Sequence, residues 1–154
     1  MNEKVKTDLI VKAGAELNLD EMGSELMELE ITLDPGTASK AGVKVCYSAD
    51  GREQTALFYD RTEKQLKCDA TKSSLTLGRR NIEIAPLELK PGEPLVLRVF
   101  VDRSLVELYA NDRQAIARAV YPTLGGTGIR LFAEGGDIKV ISIKAWEIMQ
   151  SNSY

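Results

Sequence analysis

The amino-acid sequence predicts an all-β fold, an antiparallel β-sandwich of two sheets with a jelly-roll, lectin- or galectin-like architecture. Three observations support this prediction. Many short segments alternate apolar and polar residues with a period of two, which is the pattern of half-buried strands. Turn-forming residues separate these segments at close spacing, as antiparallel connections require. No internal repeat is present, and no segment has a convincing helical period.

The alternation is strictest over residues 27–33. The apolar side chains of this segment, which share one face because they occupy alternate positions, are Met27, Leu29, Ile31 and Leu33. The sequence Asp34-Pro35-Gly36 then turns the chain, since proline presets φ and glycine accepts a positive φ. A short helix within residues 9–30 is an alternative, but Gly14 and Gly23 weaken it, because each costs about 1 kcal/mol inside a helix relative to alanine.

Further strands follow along the chain. Val43, Val45 and Tyr47 are expected to form the next inward-facing row. Asp50-Gly51 predicts a tight hairpin of type I′, and the loop at 91–94 contains two prolines that cannot continue a ladder. The predicted strands after the first are 43–47, 54–60, 64–68, 74–77, 80–84, 95–102, 105–110, 114–121, 128–134 and 138–149.

Length and composition indicate a single globular domain over residues 1–154. The 154 residues are 44% hydrophobic and 28% charged. A domain of this size buries roughly 70% of its unfolded surface, so it needs no disulfide or metal for stability. The 20 basic and 23 acidic residues give a net charge of −3 and form no basic stripe, which argues against nucleic acid as a partner. No apolar run approaches the roughly 20 residues that cross a bilayer.

Candidate residues for chemistry are few. Histidine is absent, which excludes Ser-His-Asp and Cys-His catalysis and histidine-based metal sites. Cys46 and Cys68 lack the spacing of a metal knuckle and are expected to be half-buried thiols on neighbouring strands. The acidic residues between Asp20 and Glu30 do not have the spacing of an EF-hand loop. We therefore expect neither a metal nor a cofactor.

Residues 97–112, LRVFVDRSLVELYAND, are the most informative segment. Two alternating apolar stretches, 97–101 and 106–110, flank a polar break at Asp102-Arg103-Ser104, which predicts two strands joined by a tight corner. The run from Phe100 to Ser104, followed by Val106-Glu107, resembles a motif of glycoside hydrolase family 32, which includes invertases, levanases and inulinases.

The resemblance covers nearly the whole chain and is strongest over residues 95–149. Arg113 departs from it, because glycine is frequent at that position, and Ala70 stands where arginine often follows the aspartate. Other matching positions are 28–31, 42–43, 59–60, 69–74, 111–112, 121–122, 135–136 and Trp146.

In that family the motif lies in a carboxy-terminal β-sandwich, and a separate five-bladed propeller cleaves the sugar bond. The resemblance implies a non-catalytic accessory domain that packs on and stabilises the propeller of a β-fructofuranosidase-type enzyme, which hydrolyses fructans or sucrose by retaining double displacement. The propeller motifs do not occur in this sequence. The compartment stays open, since a secretory signal would precede the propeller. The alternative is a free-standing, lectin-like module that binds fructans, because fold class alone does not decide function. An independent enzyme is a third and weaker hypothesis.

The polar residues of the corner allow both a functional and a structural interpretation. They are Asp102, Arg103, Ser104 and Glu107. Asp102 and Glu107 could form a glycosidase acid and base, but they flank a corner on two different strands. Aspartate and serine at such corners usually bond to nearby backbone N–H groups, and Arg103 could pair with Glu107 across the hairpin. We therefore assign no catalytic residue, and the structural interpretation predicts that Asp102→Ala costs about 1–3 kcal/mol.

Three aromatic residues, Trp146, Tyr109 and Tyr59, are the candidates for contact with a sugar or with the propeller, although most such rings pack in cores. Trp146 is expected to point away from Ile141 and Ile143, either into a core or toward the propeller. A domain built to pack on a propeller is also expected to expose an apolar surface, which favours a homodimer when the propeller is absent.

Overall fold

The computed structural model describes residues 3–76, 78 and 80–148. Within these residues the chain forms twelve β-strands and one 3₁₀ turn, at Asp20–Met22, and no α-helix. The strands are β1 (Glu3–Val11), β2 (Glu16–Asn18), β3 (Leu26–Asp34), β4 (Lys40–Tyr47), β5 (Thr55–Asp60), β6 (Gln65–Asp69), β7 (Ile82–Pro86), β8 (Leu95–Asp102), β9 (Leu105–Ala110), β10 (Gln114–Ala119), β11 (Gly128–Glu134) and β12 (Ile138–Glu147).

The strands form two antiparallel sheets of six, which confirms the predicted two-sheet sandwich. Sheet 1 has the order β1-β12-β3-β8-β9-β10, and sheet 2 has the order β2-β11-β4-β5-β6-β7. The chain passes from one sheet to the other after β1, β2, β3, β7, β10 and β11, so sequence neighbours are divided between the two layers.

The hydrophobic core fills the space between the two sheets. The alternating residues of β3 all point inward, as their spacing predicts, and each is at most 1% exposed. The inward rows of β8 and β9 include Leu97, Val99 and Leu108, which are fully buried. A second, smaller cluster on the other face of sheet 2 joins Phe58 to Phe132, with the rings 5.7 Å apart and edge to face. The period-two pattern thus gives the correct inward face for these strands.

The helical alternative for residues 9–30 is excluded, because this segment contains parts of β1 and β3, all of β2 and the 3₁₀ turn, and no α-helix. The strand predicted over residues 74–77 was wrong: Leu75 and Thr76 form a bend, Ser74 has no regular structure, and Leu77 lies outside the described residues. The Leu75 N–H donates to the carboxylate of Glu53 at 2.9 Å, so it is not available to a sheet ladder.

Two β-bulges change which side chains face the core. Against β11, β4 carries one extra residue near Cys46, whose φ is +52°. Against β3, β12 carries one extra residue at Ile141. An extra residue reverses the faces of the positions beyond it. Tyr47 consequently points outward and Ile141 is 44% exposed, so the inward row that included Tyr47 and the grouping of Ile141 with Ile143 were both wrong.

The turn at Asp50-Gly51 also differs from its prediction. Type I′ needs a positive φ at both central residues, and only Gly51 has one. The loop is longer: the Gly51 N–H donates to the Ser48 carbonyl at 2.9 Å, and the Ser48 N–H donates to the Glu53 carbonyl at 2.9 Å. Both central residues of the turn after β9, Asn111 and Asp112, do have a positive φ, at 51° and 53°.

The two thiols are more buried and farther apart in the sheet than expected. Cys46 lies on β4 and Cys68 on β6, with β5 between them, and they are 5% and 1% exposed. Burial raises the pKa of Cys46 to about 11 and that of Cys68 to about 12. Both thiols are therefore protonated and act as core side chains.

Candidate functional site

The corner between β8 and β9 lies at one end of the sandwich and is shaped by backbone contacts. Asp102 pairs with Leu105, so the connecting loop has two residues, and Arg103 adopts a φ of +47°. The Arg103 N–H donates to the Glu25 carbonyl at 2.9 Å, and the Ser104 carbonyl accepts the N–H of Val120 at 2.8 Å. Segments distant in sequence therefore hold the corner from both sides.

The predicted capping role of Asp102 was wrong. Its side chain is 67% exposed, and its closest polar contact among the described residues is the Arg103 guanidinium at 3.9 Å. No backbone N–H of residues 3–76, 78 and 80–148 donates to the Asp102 carboxylate. The Arg103 N–H, a donor that a capping carboxylate could accept, is bound to the Glu25 carbonyl instead.

The predicted cross-hairpin pair of Arg103 and Glu107 was also wrong. The Arg103 Nε atom lies 4.0 Å from a carboxylate oxygen of Glu25. Glu107 instead accepts a hydrogen bond from the Tyr109 hydroxyl at 2.9 Å, two residues along the same strand. Asp102 and Glu107 thus belong to different local networks.

A pocket of about 320 Å³ lies between this corner and the segment 121–126. Val101 and Cys46, both buried, contribute to its wall, and Tyr121 and Pro122 border it. Other lining residues are Ser24, Glu25, Arg103, Ser104, Gly125 and Gly126. The pocket joins two segments that the sequence singles out separately, the corner and the Tyr121-Pro122 pair, which are 17 or more positions apart.

Glu53 is a structural residue that sequence reasoning missed. It is completely buried beside this pocket, and its carboxylate accepts hydrogen bonds from four donors: the Leu75 N–H (2.9 Å), the Thr123 N–H (2.8 Å), the Thr123 hydroxyl (2.6 Å) and the Leu124 N–H (2.8 Å). Burial opposes ionisation, but these hydrogen bonds outweigh it and lower the pKa of Glu53 below its usual value. No local signal identifies this residue, because its partners lie 22 to 71 positions away.

Tyr59 and Trp146, two of the three aromatic candidates, lie in different environments. Tyr59 is 3% exposed and its hydroxyl accepts the Leu89 N–H at 3.3 Å, so its ring cannot contact a sugar or another domain, and that assignment was wrong. Trp146 is half-buried on the outer face of sheet 1, where its indole N–H donates to Glu3 at 3.0 Å. Of the two environments considered for Trp146, the core is therefore excluded.

Tyr109 lies on the outer face of sheet 1, 39% exposed, next to a groove of about 330 Å³. Its ring meets that of Phe100 edge to face, with the centroids 6.0 Å apart, and the Arg98 guanidinium lies 5.6 Å from the Phe100 centroid. Glu107 and Asp112 complete the lining. The groove thus combines one exposed ring with hydrogen-bonding side chains.

Among the described residues, no cluster of three or more cysteine and carboxylate side chains has the geometry to hold a metal ion. No helix in the described part of the chain is long and apolar enough to cross a membrane.

Comparison with known proteins identifies the family. Residues 2–147 match the family model described as glycosyl hydrolases family 32, C terminal. The chain is 35% identical over 123 residues to a levanase of Bacillus subtilis, a match that covers 74% of this chain and 17% of the levanase. It is 30% identical over 139 residues to a sucrose-6-phosphate hydrolase of Zymomonas mobilis, covering 85% of this chain and 26% of that protein. The chain thus corresponds to a small part of these relatives.

Solved structures with the same fold agree with this match. Fructan 1-exohydrolase IIa from Cichorium intybus superposes with a TM-score of 0.84 at 15% identity, over 98% of this chain and 36% of that one. The β-fructofuranosidase of Aspergillus kawachii superposes with a TM-score of 0.84 at 20% identity, over 97% of this chain and 28% of that one. The match to the family model over residues 2–147 therefore shows that this chain belongs to glycosyl hydrolase family 32, as its C-terminal domain.

Proposed function

We propose that this chain is the non-catalytic β-sandwich of a glycosidase that cleaves fructans or sucrose, and that it packs on and stabilises the catalytic propeller. The observation that carries this proposal is the extent of the match. The family's C-terminal model accounts for residues 2–147, whereas relatives named levanase and sucrose-6-phosphate hydrolase are matched over 17% and 26% of their length. The reaction then depends on parts of those proteins that have no counterpart here.

The contacts of the corner carboxylates also support a non-catalytic role. A glycosidase needs two carboxyl groups facing one sugar, about 5–10 Å apart. Asp102 is 67% exposed next to Arg103, whereas Glu107 is bound to Tyr109 in the groove on the outer face of sheet 1. These two carboxylates do not share a pocket.

Hydrolysis assays test the non-catalytic part of the proposal. We expect the purified chain to release no reducing sugar from sucrose, levan or inulin above the buffer background, because the corner carboxylates Asp102 and Glu107 do not face one sugar site. Hydrolysis that disappears in Asp102→Asn or Glu107→Gln, but not in the control Glu134→Gln outside both pockets, would contradict it.

Domain exchange tests the stabilising part. In the Zymomonas mobilis enzyme, this chain would replace the matching 139-residue segment. We expect the exchanged enzyme to keep its hydrolysis of sucrose 6-phosphate after heating that inactivates the same enzyme truncated before the segment, because a docked domain protects the native state. Equal heat sensitivity of the two proteins would show that the chain does not stabilise the propeller.

A second candidate function is fructan binding at the Tyr109 groove. The observation that favours it is the exposed Tyr109 ring next to Arg98 and Asp112, since sugars are bound by an aromatic face together with hydrogen-bonding groups. In electrophoresis through levan-containing gels, we expect the chain to be retarded, Tyr109→Ala to lose the retardation and Tyr109→Phe to keep it. Tyr121→Ala is the control on another surface. Migration unaffected by levan would rule this function out.

A further inference from the structure

We propose that the end of the sandwich around the corner pocket is the surface on which the catalytic propeller docks, with one apolar side chain of the propeller seated in the pocket. We call this surface the docking end and define it by the corner 102–105, the segment 121–126 and Leu75. The inference rests on the proposed function and adds to it the surface and the chemistry of the contact.

The strand register places the start of the described chain at this end. In sheet 1, Glu3 lies opposite Trp146, and Trp146 lies opposite Glu28. Glu28 lies opposite Phe100, two residues before the corner. The family match is to a C-terminal domain, so in longer members the propeller precedes β1 and is joined to the sandwich at this end. In sheet 1, β8 lies three strand spacings from β1, and β10 lies five. At about 4.8 Å per spacing these distances are roughly 15–25 Å, which a neighbouring domain covers.

Several exposed apolar side chains lie at the docking end. Leu75, Tyr121 and Leu124 are 38%, 46% and 39% exposed, although their segments are far apart in sequence. The two oxygens of the Glu53 carboxylate accept hydrogen bonds from the backbone N–H groups of Leu75 and Leu124 and so hold these two segments next to each other. A surface that is ordered in advance loses little conformational entropy on docking.

The pocket has the size and lining for one apolar side chain. Its volume of about 320 Å³ is at the lower end of the range for ligand pockets. Val101 and Cys46 form an apolar wall, and the protonated thiol of Cys46 adds no charge. Glu25 and Arg103 supply a polar rim, which is the usual arrangement of a protein interface with an apolar centre.

The opposite end of the sandwich has a different character. Its surface carries ion pairs between exposed side chains, which contribute little to domain packing. These pairs are Lys12–Asp137, Lys40–Glu134, Lys64–Glu88 and Arg113–Glu93. The exposed apolar residue Ile10, at 61%, lies near this end of β1 and offers a control position.

Two variants in the exchanged Zymomonas mobilis enzyme test the docking end. Leu124→Asp places a charge in the proposed interface, and Ile10→Asp makes the same kind of change at the opposite end. We expect Leu124→Asp to lower the unfolding temperature of the exchanged enzyme by roughly 5 °C or more, and Ile10→Asp to leave it within about 2 °C. In the isolated chain, measured at a concentration low enough to keep it monomeric, both variants should unfold within about 2 °C of the unsubstituted protein, because both side chains are exposed.

Hydroxyl-radical labelling gives a second readout that needs no substitution. Tyr121 and Tyr109 are similarly exposed, at 46% and 39%, on different surfaces. We expect the labelling rate of Tyr121 to fall at least about fivefold in the exchanged enzyme relative to the isolated chain, labelled at a concentration low enough to keep it monomeric, because the centre of an interface excludes water. The labelling rate of Tyr109 should stay unchanged.

The outcomes separate the two proposals. If the exchanged enzyme is no more heat-resistant than the truncated one, the proposed function fails. If it is more resistant but Tyr121 stays fully labelled, or Ile10→Asp is the damaging variant, the stabilising function stands and the docking end is wrong. Protection of Tyr109 in place of Tyr121 would move the interface to the outer face of sheet 1.

Discussion

Individual carboxylates in this domain have roles set by burial and not by sequence position. Glu53 and Asp102 both lie near the docking end, in polar segments of similar appearance in the sequence. Glu53 is completely buried and accepts hydrogen bonds from three residues, whereas Asp102 is exposed and has one long contact with Arg103. Substitution is therefore expected to lower the stability of the domain at Glu53 and to leave it almost unchanged at Asp102.

Replacing Glu53 by glutamine is expected to cost about 2–4 kcal/mol of unfolding free energy at pH 7, because a charged acceptor is lost and the new amide group faces N–H donors. Urea unfolding measures this difference. Glu134→Gln, at an exposed carboxylate, is the matched control and should change stability by less than about 0.5 kcal/mol. A Glu53→Gln variant as stable as the control would show that these hydrogen bonds contribute nothing.

The same carboxylate predicts a pH dependence. The pKa of Glu53 is lower in the folded protein than the value of about 4.3 in an unfolded chain. Its stabilising contribution is therefore fully present above the unfolded pKa and is lost as the pH falls through the folded pKa. Urea unfolding between pH 7 and pH 3 should show the stability difference between the native protein and Glu53→Gln shrinking below about pH 4. A difference that grows on acidification would contradict the lowered pKa.

The sequence predicts a loss of stability for Asp102→Ala, whereas the structure predicts almost no change. Asp102→Ala removes an exposed carboxylate that caps no backbone donor among the described residues, so we expect a change of less than about 0.5 kcal/mol. Thermal or urea unfolding checks this. Val101→Ala, at the adjacent buried position, is the contrasting variant and should cost about 1–3 kcal/mol. A loss above 1 kcal/mol for Asp102→Ala would restore the capping interpretation.

Strands and turns in this sandwich keep their register through a few special positions. The extra residues near Cys46 on β4 and at Ile141 on β12 reverse the facing of the residues beyond them. The turn after β9 depends on Asn111, which has a φ of +51°. Its side chain accepts the Val96 N–H at 2.7 Å and donates to the Pro94 carbonyl at 2.9 Å, so it ties this turn to the start of β8.

A glycine scan of this turn separates conformation from hydrogen bonding. Asn111→Gly keeps the positive φ but loses the side-chain hydrogen bonds, and we expect it to cost about 1–3 kcal/mol of unfolding free energy. Asp112→Gly also keeps a positive φ, at a residue that is exposed, and should change stability by less than about 0.5 kcal/mol. Equal effects at the two positions would show that backbone conformation alone determines the stability of this turn.

For the whole domain, the apolar docking end has a consequence when the propeller is absent. Exposed contiguous apolar surface favours self-association, and a two-fold dimer uses the same patch twice. We therefore expect light scattering at micromolar concentration to detect a homodimer of the isolated chain. Leu124→Asp should convert it to a monomer, and Ile10→Asp should leave it dimeric. A monomer at all concentrations, before any substitution, would contradict this prediction.

Much of this architecture is encoded in local sequence. The bounds predicted for β8, β9 and β11 agree with the structure, and the inward row of β3 is correct throughout. Alternation with a period of two and nearby turn residues act within a few positions, so they can be interpreted without knowing the fold. The motif at residues 100–107 identifies the family for the same reason, since its residues are contiguous.

The candidate site depends on contacts that local sequence does not contain. Glu53 binds Thr123 across 70 positions, and Arg103 is held by a carbonyl at Glu25. The outward face of Tyr47 follows from an extra residue that is defined only against β11. Burial, register and the binding of the Leu75 and Leu124 N–H groups to one carboxylate are properties of packed strands and loops distant in sequence. Because each requires a partner to be in place, only the folded sandwich determines which polar residues are structural and which surface is left for a partner.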